Sequence, residues 1–182
     1  MRIVGILLAV SVLVSGQTRS RKAHEHGSAK VNIAFESAKG APKGVIEFEA
    51  PAEGVVGFEH EAKTAADKAK VTAALNTLKT RFAEMVVLPA ASACKITNKS
   101  AKVEAEHAHD AKKKGAAKQE QHSEVHAEFD VVCAKPLSGG EIRFGFTKVF
   151  PKIHDVDVAL LAGEQQLSLE VENDKGVLKI AK

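Results

Sequence analysis

The side chains most able to do chemistry in this chain are its histidines. There are eight, and His107, His109, His122 and His126 fall within twenty residues of one another, with Asp110 and Glu124 among them. Neutral imidazole is a borderline ligand. Three or four nitrogen or oxygen donors about 2.0–2.2 Å from the ion complete the tetrahedron that Zn(II) prefers. The cluster is therefore a candidate Zn(II) site, with Glu124 and Asp110 as oxygen donors. Imidazole binds copper more tightly in the usual affinity order, so a copper or nickel binder is an alternative. His24-Glu25-His26 offers a second pair of imidazoles, and His60 a further ligand in Gly57-Phe58-Glu59-His60. His154 stands alone before Asp155 and reads as surface.

Catalysis finds no support. The chain has no His-Glu-x-x-His, no Gly-x-Ser-x-Gly and no phosphate-cradling glycine loop. A catalytic zinc needs a positioned general base beside an open coordination position. Glu124 or Glu59 could be imagined as that base, and nothing selects either. The reading is of a protein that is not an enzyme.

Two cysteines, Cys94 and Cys133, frame the cluster. In an oxidising compartment a single disulfide is the default. Two buried thiols or a pair of metal ligands are the other readings. If the cysteines face each other across an antiparallel pair, facing residues sum to 227. Side chains alternate along a strand. One face then shows Cys94, Ile96, Val125, Phe129, Val131 and Cys133, which suits a core. The other shows Lys95, Thr97, Lys99, Ala101 and Val103 with Glu124, His126, Glu128 and Asp130. Extending the register sets Ala101 opposite His126 and Ala105 opposite His122. His107 and His109 then continue the outward parity, and all four imidazoles project near one hairpin tip.

The rest of the chain must hold that hairpin. Val31, Ile33 and Phe35 alternate with polar or small residues as a half-buried strand should, and Ile46, Phe48 and Ala50 return from a turn at 39–44. Thr64, with Asp67 three residues on, opens a helix. Val71, Leu75, Leu78, Phe82 and Met85 form its apolar stripe, and Pro89 bars its continuation. Short alternations at 142–146, 156–160, 167–171 and 178–180 complete about eight strands. No crossover helices separate them. The fold class is α+β, a mainly antiparallel sheet packed with one long α-helix.

Met1–Gly16 reads as a secretory signal: Arg2, an apolar run from Ile3 to Val14, then short side chains at Val14-Ser15-Gly16. The run is shorter than the roughly 20 residues a bilayer requires, so no stable membrane insertion is expected once it is removed. Residues 17–30 read as a polar, flexible, His-containing arm. Residues 31–182 read as a single domain with a polar, His-bearing excursion at 104–123. A formal charge of +3 and the absence of Trp and Tyr give little with which to attract or stack nucleic acid. A structural or adhesive β-rich module with incidental histidines is the bland alternative.

Several segments, taken in order, resemble a known family. They are His24-Glu25-His26-Gly27, Val31-Asn32-Ile33-Ala34, Glu49-Ala50-Pro51-Ala52 and Gly57-Phe58-Glu59-His60. Cys94, the His-bearing excursion, His122-Ser123-Glu124, Cys133 and Phe150-Pro151 follow. The pattern resembles the ZrgA-like periplasmic zinc-binding proteins of Gram-negative bacteria over essentially the whole mature chain. The resemblance implies zinc binding in the periplasm and a role in buffering Zn(II) or delivering it to the solute-binding component of a zinc ABC transporter. It places His107, His109 and His122 in the family's His-rich stretch, flanked by the two cysteines. This sequence departs from the pattern at Lys112-Lys113-Lys114-Gly115-Ala116-Ala117-Lys118, where dense His and Asp are usual. Lysines repel a divalent cation and give it no ligand at neutral pH, so few ions per chain are expected.

Overall fold

Strict alternation of apolar and polar side chains builds the central sheet. The computed structural model describes residues 27–105 and 122–182. Strands β1 (Ser28–Phe35) and β7 (Asp155–Ala162) each bury every second residue along their length. They lie side by side in parallel, and Val31 faces Val158. Around them are β2 (Lys43–Pro51), β5 (Ser123–Cys133), β4 (Cys94–Ala105) and β8 (Gln165–Glu172). The six-stranded order is β4-β5-β2-β1-β7-β8, and every pair except β1–β7 is antiparallel.

One face of this sheet is the core. Its cover is the helix α2 (Ala65–Met85), together with a small sheet ordered β3-β6-β9. Those three strands are Val86–Val87, Glu141–Phe144 and Val177–Lys179. The helix starts where Thr64 predicts. The Asp67 amide donates to the Thr64 hydroxyl at 3.1 Å, and the Thr64 amide donates back to the Asp67 carboxylate at 3.3 Å. That reciprocal pair satisfies amides the first turn leaves open. Leu78, Phe82 and Met85 of the expected stripe are buried, while Val71 and Leu75 are half-buried near the helix start. Phe82 stacks on Phe129 of β5, with ring centroids 3.7 Å apart, and meets Phe48 of β2 edge-on at 6.2 Å. One aromatic side chain thus fixes the helix over two neighbouring strands.

The opposite face of the sheet is polar. Lys30, Asn32, Glu47 and Asp157 are exposed on it, and Glu49, Glu128 and His126 are half-buried. The structure adds three short elements that periodicity could not show: the two-residue strand β3, which makes nine strands among the described residues, the one-turn helix α1 (Ala52–Val55) and a one-turn 3-10 helix at Ala90–Ser92. β1 begins at Ser28, three residues ahead of the expected Val31. Among the described residues no helix is long and apolar enough to cross a membrane.

The Cys94–Cys133 disulfide is present, and those two residues face each other across β4 and β5. From Cys94 to Asn98 facing residues sum to 227, as expected. A bulge between Asn98 and Ser100 then shifts the register by one. Beyond it Ala101 faces Ala127, Lys102 faces His126, and Ala105 faces Ser123. The expected pairings of Ala101 with His126 and of Ala105 with His122 are therefore wrong. The extra residue, Lys99, reverses the parity of β4. Ala101 and Val103 turn toward the core, while Lys102 and Glu104 take the outer positions. With Ala101 and Val103 facing the core, the parity of β4 no longer supports the expected outward placement of His107 and His109, which lie outside the described residues. Burial drives the shift: without it the polar Lys102 and Glu104 would face the apolar side.

Candidate functional site

Strand directions collect the histidines at one end of the large sheet. Ser28 pairs with Asp155, Asp155 with Glu172, Pro51 with Glu124 and Glu124 with Glu104. This end is where β1, β5 and β7 begin and where β2, β4 and β8 finish. His122 and His126 lie at the start of β5, His154 just ahead of β7, and His60 in the loop that follows β2 and α1. The segments that carry the other four histidines join the described structure at the same end, at Gly27 and between Ala105 and His122. His24, His26, His107, His109 and Asp110 themselves lie outside the described residues.

Glu124 and His126 flank the buried Val125 on β5 and share its outer side, and His122 immediately precedes the strand. The link that ties His122 down comes from elsewhere. Its Nδ1 is hydrogen-bonded to the Glu59 carboxylate, in the loop between α1 and α2. Glu59 is largely buried, with 15% of its side chain exposed, whereas His122 is 43% exposed. A polar group held below the surface thus orients one at it. Along the strand, His126 Nε2 lies 3.3 Å from a Glu124 carboxylate oxygen. The two imidazole–carboxylate pairs thus meet at the start of β5, one just ahead of the strand and one on it.

His126 also borders a groove of about 320 Å3 across β1, β2, β5 and β4. Its walls carry charge of both signs. Lys30 pairs with Glu49 at 3.1 Å and Lys102 with Glu104 at 2.7 Å, while Glu128 of the wall pairs with Lys99, outside the groove, at 2.6 Å. The hydrogen bond to Glu128 raises the Lys99 pKa above its ordinary value. His60 sits differently. It stacks on Phe58, with centroids 4.3 Å apart and planes 11° apart, and its Nδ1 is 3.1 Å from the Glu61 carbonyl oxygen. It lines a second cavity of about 270 Å3 with Val56, Phe58, Val71, Val103 and Ser123. His154 Nδ1 is 3.1 Å from the Asp155 carboxylate.

The structure thus brings His122 to Glu59 and His126 to Glu124. Among the described residues no three His, Cys, Asp or Glu side chains gather closely enough to hold a metal ion. Imidazole nitrogen and carboxylate oxygen are nonetheless the donor chemistry that Zn(II) takes. Both cysteine sulfurs are spent on the disulfide, which removes them as ligands. Glu59 is the residue sequence reasoning missed in this role. Its one signal was its place in Gly57-Phe58-Glu59-His60, and 62 residues separate it from the histidine it holds.

Comparison with known proteins completes the picture. No curated protein matches the chain. A family model described as "ZrgA family zinc uptake protein" matches residues 23–180, most of the chain. With that match spanning both imidazole–carboxylate pairs, the disulfide and every strand, the chain belongs to the ZrgA family of zinc uptake proteins.

Proposed function

We propose that this chain binds Zn(II) reversibly in the periplasm and buffers it, or passes it to the solute-binding component of a zinc ABC transporter. The observation that carries the reading is the His122–Glu59 pair beside His126–Glu124, at the sheet end where both His-bearing segments join the fold. Family membership supplies the zinc-uptake context. The ligand set we propose is His122 and His126 with His107 and His109. Glu124 and Asp110 serve as oxygen donors, and His24, His26 and His60 are further candidates.

No covalent step is involved. Zinc enters and leaves by ligand exchange. An exposed donor set lets an incoming ligand bind before an imidazole departs. His122 and His126, with 43% and 34% of their side chains exposed, support that mode. Free imidazole takes up its proton near pH 6.5, and protonation removes the lone pair the ion needs. Zinc affinity should therefore fall as pH drops below that value, with most binding gone by about pH 5.

The test is zinc titration of the mature protein beside a variant with His107, His109, His122 and His126 changed to Ala. The expected result is zinc uptake by the first and at least about a hundredfold weaker affinity in the second, since losing even one partner behind a ligand costs roughly ten- to hundredfold. Equal affinity in both would overturn the ligand assignment. No uptake by the unaltered protein would favour the structural or adhesive role. Retention of copper or nickel against a zinc excess would favour those ions.

A further inference from the structure

The hydrogen-bond pattern around the histidines carries an inference about how the site is prepared, and it rests on the zinc reading above. A neutral imidazole has one N–H and one lone pair, and which nitrogen holds which decides where a cation can bind. Carboxylate and carbonyl oxygens only accept. A ring nitrogen that meets one must therefore carry the proton. His122 Nδ1 meets the Glu59 carboxylate, His60 Nδ1 the Glu61 carbonyl and His154 Nδ1 the Asp155 carboxylate. In each case the lone pair falls on Nε2, the nitrogen farther from the backbone. His126 differs: its Nε2 lies 3.3 Å from a Glu124 oxygen as an ion-pair contact and not as one of these hydrogen bonds.

We propose that Glu59 is a positioning residue: it holds His122 as the Nδ1–H tautomer and so turns the Nε2 lone pair toward an incoming divalent cation. Glu59 suits that work. It arrives from another element, it is largely buried, and its loop is anchored at both ends. On one side Val56 and Gly57 amides donate to carbonyls of α1; on the other stands the Thr64 cap of α2. The ring plane and the tautomer are therefore set before any ion arrives, which lowers the ordering cost of coordination. A carboxylate behind a ligand imidazole also raises the basicity of the ligating nitrogen. The contrast with His126 assigns roles within the pair. His122 is the prepared Nε2 donor. His126 meets Glu124 only at ion-pair distance, so its tautomer is not set in this way.

The experiment reads tautomer and affinity separately on the mature protein. Long-range proton–nitrogen correlation of the imidazoles, without metal and at about pH 8, well above the pKa of free imidazole, is recorded for the unaltered protein and for Glu59→Gln. His122 is identified by its loss in His122→Gln. The expected result is Nδ1–H at His122 in the unaltered protein. In Glu59→Gln the amide can donate as well as accept, so the Nε2–H form should appear. Zinc affinity of that variant should fall by roughly ten- to hundredfold, with the amide fingerprint of β4 and β5 unchanged. Glu59→Asp, which keeps the carboxylate, should recover part of the loss. Nε2–H as the main form at His122 in the unaltered protein overturns the proposal, as does a Glu59→Gln variant with undiminished affinity. In both of those cases the zinc reading stands if the unaltered protein takes up zinc. Failure of the unaltered protein to take up zinc fells that reading, and the positioning role with it.

Discussion

The two ends of the large sheet are built from different chemistry. At the end where β5 finishes, the Cys94–Cys133 disulfide joins two strands, and hydrogen bonds to backbone carbonyls bind the neighbouring turns. Cys133 donates to the Pro42 carbonyl at 2.9 Å, Leu137 to the Ala38 carbonyl at 2.9 Å, and the Ser92 hydroxyl to the Pro136 carbonyl at 2.6 Å. No histidine lies in those turns. At the other end stand His60, His122, His126 and His154, each against an oxygen acceptor. Imidazoles left partly exposed at the surface contribute little burial. The contrast teaches that the covalent and backbone ties at one end, with the aromatic core between, supply the stability that the polar end does not.

That division can be broken by experiment. The largest expected effect is at the core. Phe82→Ala removes the ring between Phe48 and Phe129 and should cost about 3–5 kcal/mol in urea unfolding, while the folded fraction keeps its zinc affinity. A matching loss of affinity would show that core and polar end are coupled. Next comes the disulfide. Changing Cys94 and Cys133 together to Ser opens a loop of 39-residue separation and should cost roughly 2–4 kcal/mol. Zinc affinity measured below the unfolding transition should not move; a tenfold change would mean that the tie reaches the histidines through the β4–β5 register.

Smaller effects sharpen the comparison from the polar end. Thr64→Ala removes the hydroxyl that accepts from the Asp67 amide. It should lower stability by about 1 kcal/mol in the same assay. The smallest effect is in the acid dependence. Hydrogen bonding from Thr64 holds the Asp67 carboxyl below its usual range, against the opposing effect of burial. A carboxyl lowered on folding adds stability above its unfolded pKa, near 3.9, and loses it as pH falls through the lower folded value. Asp67→Asn should therefore flatten the stability–pH curve in that acid window. An unchanged slope would show that the capping box contributes nothing there.

Much of this architecture was legible as period and punctuation. The alternation in β1, β2, β7 and β8, the Thr64–Asp67 cap and the stripe ending at Met85 are local patterns, and each appears where the sequence predicts it. The bulge at Lys99 was not legible. Lys95, Thr97 and Lys99 continue a plausible polar row, and only packing against β5 shows that Ala101, not Lys102, must turn inward. β3 is two residues long and exists only because β6 lies beside it. Glu59 was visible as a residue and invisible as a partner.

By itself the sequence determined which residue types could meet a metal, that two cysteines bracket the hairpin, and where most strands and the helix run. These follow from side-chain chemistry and from repeats within one element, which neighbouring residues encode. The tertiary structure alone decided the parallel contact of β1 with β7, the parity of β4 beyond the bulge, and the meeting of Glu59 with His122. Each joins groups far apart in the chain. Such contacts are selected by the burial and hydrogen bonding of the whole sheet, which no short stretch of sequence expresses.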